Sequence, residues 1–299
     1  MSTDSVIHDI GYQRYTGRRL GRGYATLSLY THGVRSVFGL GRPAKSKIFP
    51  WAMVGVMVIV ATVDIAIRAR TGVVILTYRQ FCDRLTLPVF LFVAATMPEL
   101  LCRDLRHNVL PLYFSRPLRR ADYVWAKIGA AVTGIWLLYA VPLLLLVVSG
   151  LFTVATWTER IDELRSFAGG LALAAVYAVV YAAIGLVLSS FLRRRMVASA
   201  VIVGYFLLTT AVGAIVGQVV GPPHGDTIGR LFGPSRMVVG LESYLWQAPT
   251  EGIGPPPQAP PGAFIIRFHP PGPVFLFVAI GLVLVCIVLM HLRYRRVRT

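Results

Sequence analysis

The residues best suited to chemistry are concentrated in one segment of the chain, Met97–Lys127. Charged side chains alternate there with apolar ones, and a Ser-x-Pro turn at Ser115–Pro117 separates two basic stretches. Arg103 stands four residues after Glu99, a spacing that predicts an ion pair between neighbouring turns of a helix. The pattern favours a compact element held against a membrane surface with an exposed polar edge. A basic loop without a specific role is the alternative.

Motifs for catalysis or metal binding are not found in the sequence. There is no GxxxxGK[ST] phosphate loop, no HExxH motif and no GxSxG nucleophile elbow. The six histidines show no metal-ligand spacing, and Cys82, Cys102 and Cys286 form neither a CxxC pair nor a disulfide framework. We therefore expect no catalytic residue, no metal site and no cofactor in this chain.

Composition indicates a membrane protein. Of the 299 residues, 56% are hydrophobic and 14% are charged, whereas an average soluble domain has about 25% charged residues. The net charge of +17 would also suit nucleic-acid binding, but the apolar excess favours a bilayer and no nucleic-acid partner is expected. A span needs about 20 apolar residues. We predict one all-α integral membrane domain with spans at about 48–67, 85–101, 128–152, 167–192, 197–221 and 273–292.

The distribution of Lys and Arg predicts the orientation of these spans. The arm before the first span, the second and fourth connections and the carboxy-terminal tail carry 21 basic residues, and the other connections carry nine. Since basic loops stay in the cytoplasm, both termini are expected there. The first outer loop, with four Arg, is the feature that does not fit.

The cytoplasmic arm, residues 1–47, contains apolar residues at helical spacing between Tyr24 and Leu40. This pattern favours a helix lying in the membrane interface. A disordered basic tail is the alternative, and Gly33, Gly39 and Gly41 speak for it.

The outer segment, residues 222–272, has two unlike halves. Residues Met237–Trp246 form an apolar and aromatic patch too short to span a bilayer, for which we expect a short helix on, or dipping into, the outer membrane face. Residues Gly254–Pro261 form a proline-rich spacer without helix or strand potential.

Asp64 is the only acidic residue well inside a predicted span. An intramembrane carboxylate is a functional candidate by default. A structural role is the favoured interpretation, because Arg68 lies one turn later, near the end of the span, as a potential partner.

Aromatic residues in the third to fifth spans could line a path for an amphiphilic or aromatic substrate, although helix packing is their commoner role. The small-xxx-small spacing of Gly213, Gly217 and Gly221 likewise predicts close helix packing. The substrate-path candidates are Trp136, Tyr139, Tyr177, Tyr181, Tyr205 and Phe206.

The segment after the second span resembles that of ABC-2 type permeases, the membrane subunits of ATP-binding-cassette exporters. In that family an acidic residue ends the second span, a short coupling helix and a Ser-x-Pro turn with flanking Arg follow, and an aromatic residue and a Lys open the third span. The six spans, the basic arm and the long outer segment agree. The matching residues are Glu99, Arg103, Ser115, Pro117, Arg120, Tyr123 and Lys127.

The resemblance implies an export permease of the bacterial cytoplasmic membrane. A separate ATPase subunit, which would hold ATP and Mg²⁺, would drive efflux of a drug, lipid or other amphiphile. Two permeases, identical or sister chains, would pair with two ATPases. The resemblance assigns ATPase coupling to Glu99, Arg103, Asp104, Arg106, Asn108, Ser115, Arg116, Pro117 and Arg120. It assigns an outer gate to Met237, Leu241, Tyr244 and Trp246.

Two other functions remain open from the sequence. A secondary transporter or channel would work without ATP, but coupling ions need charged ligands at depth, and the spans offer few. An integral-membrane enzyme would need a clustered acid, base or metal set, and the sequence shows none.

Overall fold

The structure is a computed structural model that describes residues 17, 20–41, 43–106, 109, 113, 115, 118–221, 225–246 and 273–295. The described residues form α-helices and no strands, which confirms the predicted all-α class. The helices are α1 (Arg22–Val37), α2 (Ala44–Thr71), α3 (Tyr78–Arg84), α4 (Thr86–Arg106), α5 (Arg120–Thr153), α6 (Trp157–Phe191), α7 (Arg195–Val220), α8 (Gly225–Phe232), α9 (Pro234–Leu245) and α10 (Pro273–Arg295).

Six helices, α2, α4, α5, α6, α7 and α10, are long and apolar enough to cross a membrane, and they correspond one to one to the predicted spans. The helices α5 and α6 begin eight and ten residues earlier than predicted. Their polar first turns are capped: the backbone N–H of Arg119 donates to Asp122 (3.0 Å), and Thr156 and Glu159 form a reciprocal capping box. Hydropathy misses such turns because charged residues are interspersed among their apolar ones.

The alternating direction of the spans places their connections on two opposite faces. The terminal side carries α1, the connection between α4 and α5, and the short link from α6 to α7. The far side carries α3, the link from α5 to α6, and the short helices α8 and α9. The central spans α4 and α6 are the most buried, whereas α2, α7 and α10 have few buried residues, as helices in contact with lipid do.

Helix α1 confirms the predicted amphipathic helix of the arm, with bounds shifted from Tyr24–Leu40 to Arg22–Val37. Gly33 lies where α1 crosses α5, and a Cβ there would stand 2.6 Å from the Cβ of Ala130. Gly39 and Gly41 have φ of 68° and 81° and reverse the chain after the helix. The three glycines that favoured a disordered tail therefore have structural roles: Gly33 allows α1 to pack closely on α5, and Gly39 and Gly41 allow the chain to turn after the helix.

Polar contacts also fix α1 on α5. The guanidinium of Arg22 donates two hydrogen bonds of 2.5 Å to the carboxylate of Asp122. The hydroxyls of Tyr30 and Thr133 are hydrogen-bonded at 2.9 Å. The arm is thus part of the folded domain in the residues that the structure describes.

On the far side, α8 runs back against the end of α7. Gly213 of α7 lies so close to α8 that a Cβ on it would stand 2.5 Å from the carbonyl oxygen of Gly229. Gly217 meets Gly225 in the same way, so two pairs of small residues let the backbones touch. This contact confirms the predicted packing role of Gly213 and Gly217 and identifies their partner, the short helix α8, which sequence patterns did not reveal. Gly221 has a different role: it is the C-cap residue of α7, with φ of 67°, and no atom lies within 4 Å of a Cβ placed there.

We predict that Gly33→Leu destabilises the protein by about 1–3 kcal/mol, because overpacking at the contact with Ala130 forces α1 away from α5. Gly23→Leu is the matched control, since no atom lies within 4 Å of a Cβ at that position of the same helix. Thermal unfolding of the detergent-solubilised protein measures both. Equal melting temperatures for the two variants would contradict the docking of α1.

Candidate functional site

A buried ion pair closes the base of the connection between α4 and α5. The ammonium of Lys127, only 3% exposed, pairs with Asp104 (Nζ to Oδ2, 2.8 Å) and donates to the carbonyl oxygen of Leu100 (2.8 Å). The hydroxyl of Tyr123 donates to the same carboxylate oxygen of Asp104 (2.8 Å). These bonds hold the end of α4 and the start of α5 at a fixed separation, so the connection sits on a rigid base.

The same base is joined to the carboxy-terminal helix. The ring of Tyr123 packs against those of Tyr294 in α10 (centroids 5.2 Å apart) and Tyr113 in the connection (5.9 Å). Arg120 donates from Nη1 to the carbonyl oxygen of Arg295 (2.7 Å). A force applied to the connection therefore reaches α4, α5 and α10 together.

The residues assigned to ATPase coupling occupy different environments. Arg103 and Arg106 are exposed on the last turn of α4, and Ser115 is exposed in the connection. Asp104 is buried and Arg120 is half-buried, and both hold the connection in place through their contacts with Lys127 and Arg295. Three further assigned residues, Asn108, Arg116 and Pro117, lie outside the described residues.

The described part of the connection contains helical hydrogen bonding. The N–H of Tyr113 donates to the carbonyl oxygen of Val109 (3.2 Å), the i to i−4 bond of an α-helical turn. The N–H of Val109 in turn donates to the backbone carbonyl oxygen of Asp104 (3.3 Å), near the end of α4.

The sequence spacing predicted an ion pair between Glu99 and Arg103, but this pair is not found among the described residues. The carboxylate of Glu99 pairs with Arg195, the first residue of α7. The i, i+4 rule considers only neighbours on one helix, whereas α4 and α7 pack side by side and bring a basic helix start to the carboxylate. The pair therefore joins two spans at the terminal side.

A cleft of about 310 Å³ opens beside this ion pair. It lies between α2, α4 and α7, under the last turn of α1. Its wall is mostly apolar, and Glu99 and Arg195 form a charged end with hydroxyl groups nearby. Phe49, Leu91, Ala95, Ser199 and Val203 contribute to its lining.

The aromatic residues proposed for a substrate path form a packed chain instead of a cleft lining. Tyr139, Tyr177, Tyr181 and Phe206 are buried, with successive ring centroids 6.0, 5.6 and 5.0 Å apart. Tyr205 contacts Phe206 at 5.7 Å, and Trp136 donates from Nε1 to the carbonyl oxygen of Leu171 (3.3 Å). The cleft at Glu99 is lined by none of these residues. Their contacts are those of helix packing.

The patch proposed as an outer gate is helical, as predicted. It forms α9, which begins at Pro234 and ends at Leu245, with Trp246 as the C-cap residue. Met237 and Leu241 are buried, and Tyr244 is exposed. The predicted proline-rich spacer, Gly254–Pro261, lies outside the described residues.

Asp64 has a structural contact, but its partner is not Arg68. Asp64 is buried, with 5% of its surface exposed, and its carboxylate accepts a hydrogen bond from the backbone N–H of Leu76 (3.1 Å) in the link to α3. Arg68 pairs across the bundle with Glu163 of α6 (2.9 Å), which also accepts from the hydroxyl of Tyr78 (2.7 Å). These contacts tie α2, α3 and α6 together on the far side.

Sequence reasoning missed a second acidic group on the far side. Asp83 of α3 is half-buried and Glu242 of α9 is buried, and the two lie within hydrogen-bonding reach of each other, although neither lies in a membrane span. A search for carboxylates inside spans overlooks both. The Thr77-x-x-Gln80 capping box and Pro234 at a helix start were the available signals for the two short helices that carry them.

Comparison with known proteins identifies the middle of the chain. Residues 84–230 match the family model described as ABC-2 family transporter protein. The match runs from the end of α3 to α8, so it includes the connection after α4 and the α7–α8 contact. No curated protein matches the chain.

We predict that Lys127→Met costs about 3 kcal/mol of stability, because it leaves the buried carboxylate of Asp104 without its cation. The double variant Asp104→Asn/Lys127→Met removes both charges, and we expect it to recover most of this loss. Thermal unfolding of the wild type, both single variants and the double variant completes the cycle. Strictly additive effects would mean that the pair does not stabilise the base of the connection.

Proposed function

We propose that the chain, whose residues 84–230 match the ABC-2 transporter family, is the permease subunit of an ATP-driven exporter of amphiphiles. Members of this family are membrane subunits of ABC transporters that work with an ATPase subunit. ATP coupling, the direction of transport and the class of substrate are parts of the proposal.

The observation that carries the coupling proposal is the contrast within the connection after α4. Arg103 and Arg106 present cationic side chains to solvent, while Asp104 and Lys127 fix the base beneath them. An exposed charged surface suits docking of a partner, and a rigid base suits transmission of its movement. The ATPase would bind here, and its closure on ATP would shift α4, α5 and α10.

The excess of Lys and Arg on the terminal side supports a cytoplasmic location for this docking surface. The ATPase needs cytoplasmic ATP, so both termini would face the cytoplasm of a bacterial inner membrane. The exposed apolar faces of α2, α7 and α10 leave room for a second permease copy as well as for lipid.

The cleft at Glu99 and Arg195 supports an amphiphilic substrate. Its apolar wall suits hydrocarbon, and its charged end, at the terminal-side ends of α4 and α7, suits a polar head group. The cleft lies between spans whose outer faces are exposed, so a lipid-like molecule could enter it from the bilayer. Helix α9, with Met237 and Leu241 packed inward, would close the exit on the far side.

A transporter working without ATP is the second candidate, and the carboxyl pair of Asp83 and Glu242 is the observation in its favour. Transport by the purified chain in liposomes without any ATPase would support it. Transport that requires the ATPase and ATP would support the exporter.

We predict that Arg103→Glu/Arg106→Glu weakens co-purification of the ABC ATPase subunit at least tenfold, or leaves ATP hydrolysis uncoupled from export, because the docking surface changes sign. Arg165→Glu is the control, since this arginine is exposed on the far side. The measurements are pull-down of the ATPase with the tagged chain and ATP-dependent uptake into inverted vesicles. Unchanged assembly and transport in the double variant would refute the docking site.

We predict that Ala95→Trp reduces binding of a fluorescent short-chain phospholipid analogue about tenfold or more, because the indole fills the cleft. Ala200→Trp places the same side chain on an exposed position of α7 outside the cleft lining and serves as the control. Fluorescence titration of the detergent-solubilised chain measures the affinity. Equal affinities for both variants would exclude the cleft as the binding site.

A further inference from the structure

Two carboxyl groups from different short helices meet on the far side of the protein. Asp83, at the end of α3, and Glu242, near the end of α9, lie within hydrogen-bonding reach of each other. Glu242 is buried, with 8% of its surface exposed. Asp83 also accepts a hydrogen bond from the hydroxyl of Tyr177 in α6 (2.6 Å). The pair thus sits where α3, α6 and α9 join.

The surroundings supply limited positive charge to this pair. Nε of Arg79 lies 3.5 Å from Oε1 of Glu242, and the same guanidinium lies 6.0 Å from the ring centroid of Trp246. Arg84 adds a second positive charge near Asp83. The titratable and charged groups that act on the pair or adjoin it are Arg79, Cys82 and Arg84 of α3, Tyr139 of α5, and Tyr177 and Tyr181 of α6.

Two buried carboxylates in contact repel each other, so such a pair retains one shared proton over a wide pH range. Burial raises the pKa of Asp83 above its ordinary value. Burial, together with the hydrogen bond and the charge of Asp83, raises the pKa of Glu242 to about 8. The proton is therefore retained at neutral pH and released to water in mildly alkaline solution.

Helix α9 connects the pair to the rest of the far side. Gly240 lets α9 pack against Phe275 of α10, where a Cβ would stand 2.7 Å from the ring. One residue, Gly233, separates α9 from α8, which is held by the glycine contact with α7. Movement of α9 away from α3 would consequently affect α8 and α10 as well.

We propose that Asp83 and Glu242 form a proton-dependent latch that holds α9 against α3 and α6 while they share a proton and releases α9 when that proton is lost. The use of this latch to control an exit gate rests on the proposed transport function. The latch itself requires only the chain.

Thermal unfolding as a function of pH tests the latch. The folded pKa of Glu242 lies above its ordinary value of 4.5, so the folded state keeps a proton that the unfolded state releases. Stability therefore falls as pH rises from about 4.5 to about 8, and this contribution levels off above that range. We expect the melting temperature of the wild type to fall about 5 °C more than that of Glu242→Gln between about pH 5 and pH 9.

Two further variants complete this measurement. Asp83→Asn removes the other carboxyl group of the pair, so we expect it to flatten the pH dependence of the melting temperature as Glu242→Gln does. It also provides the test if Glu242→Gln fails to fold. Asp162→Asn, at an exposed acid of α6, should keep the wild-type pH dependence. A wild-type pH dependence retained in the foldable latch variants would overturn the proposal.

Labelling of the native thiol of Cys82 reports opening directly. This side chain is fully buried next to Asp83, with Sγ 3.7 Å from the carbonyl oxygen of Gly170. The rate of maleimide labelling of Cys82 is quantified by peptide mass spectrometry and divided by the labelling rate of a free thiol at the same pH. We expect this ratio to rise roughly tenfold from pH 6 to pH 9 in the wild type and to stay constant in Glu242→Gln. Equal ratios in both proteins would overturn the latch.

Neither measurement involves an ATPase or a substrate. If the chain proves not to be an exporter, the latch can still be observed. If the latch fails while ATP-dependent export is found, the proposed function stands without it.

Discussion

The packing of this protein depends on polar contacts made between helices at the two edges of its apolar layer. Six apolar helices in lipid gain little direction from hydrophobic burial, because the surrounding acyl chains are as apolar as the helices themselves. Lys127 and Asp104 fix α5 to α4 on the terminal side, and Arg68 and Glu163 fix α2 to α6 on the far side. Each of these pairs joins different helices, so it sets their register as well as their separation.

This arrangement explains why sequence reasoning predicted the spans but not the ion-pair partners. Hydropathy is a property of a continuous segment, and all six spans follow from it. Ion-pair partners come from the three-dimensional arrangement. Glu99 and Asp64 each had a plausible cation one turn later in the sequence, yet Glu99 bonds Arg195 on another helix and Asp64 bonds the backbone of Leu76.

The short helices were partly predictable, for a related reason. Helix α1 followed from its apolar stripe and α9 from its aromatic patch, whereas α3 and α8 are too short for a periodic pattern. What stabilises α8 is backbone contact between glycines of two elements, and such a contact becomes visible only when both elements are in place. Asp83 stayed hidden as a candidate for the same reason: its partner, Glu242, is distant in the chain.

A row of packed aromatic side chains runs from the far-side carboxyl pair to the middle of α7. Asp83 bonds Tyr177, whose ring contacts Tyr181, and Tyr181 packs edge-on against Phe206 of α7 at 5.0 Å. Helix α7 begins at Arg195, the partner of Glu99 beside the cleft. A closely packed aromatic row has little free volume, so a displacement of α9 at one edge is resisted or transmitted by α6 and α7 together, not absorbed locally. The aromatic residues first considered as a substrate path are therefore better placed to link the far-side carboxyl pair to the terminal-side cleft.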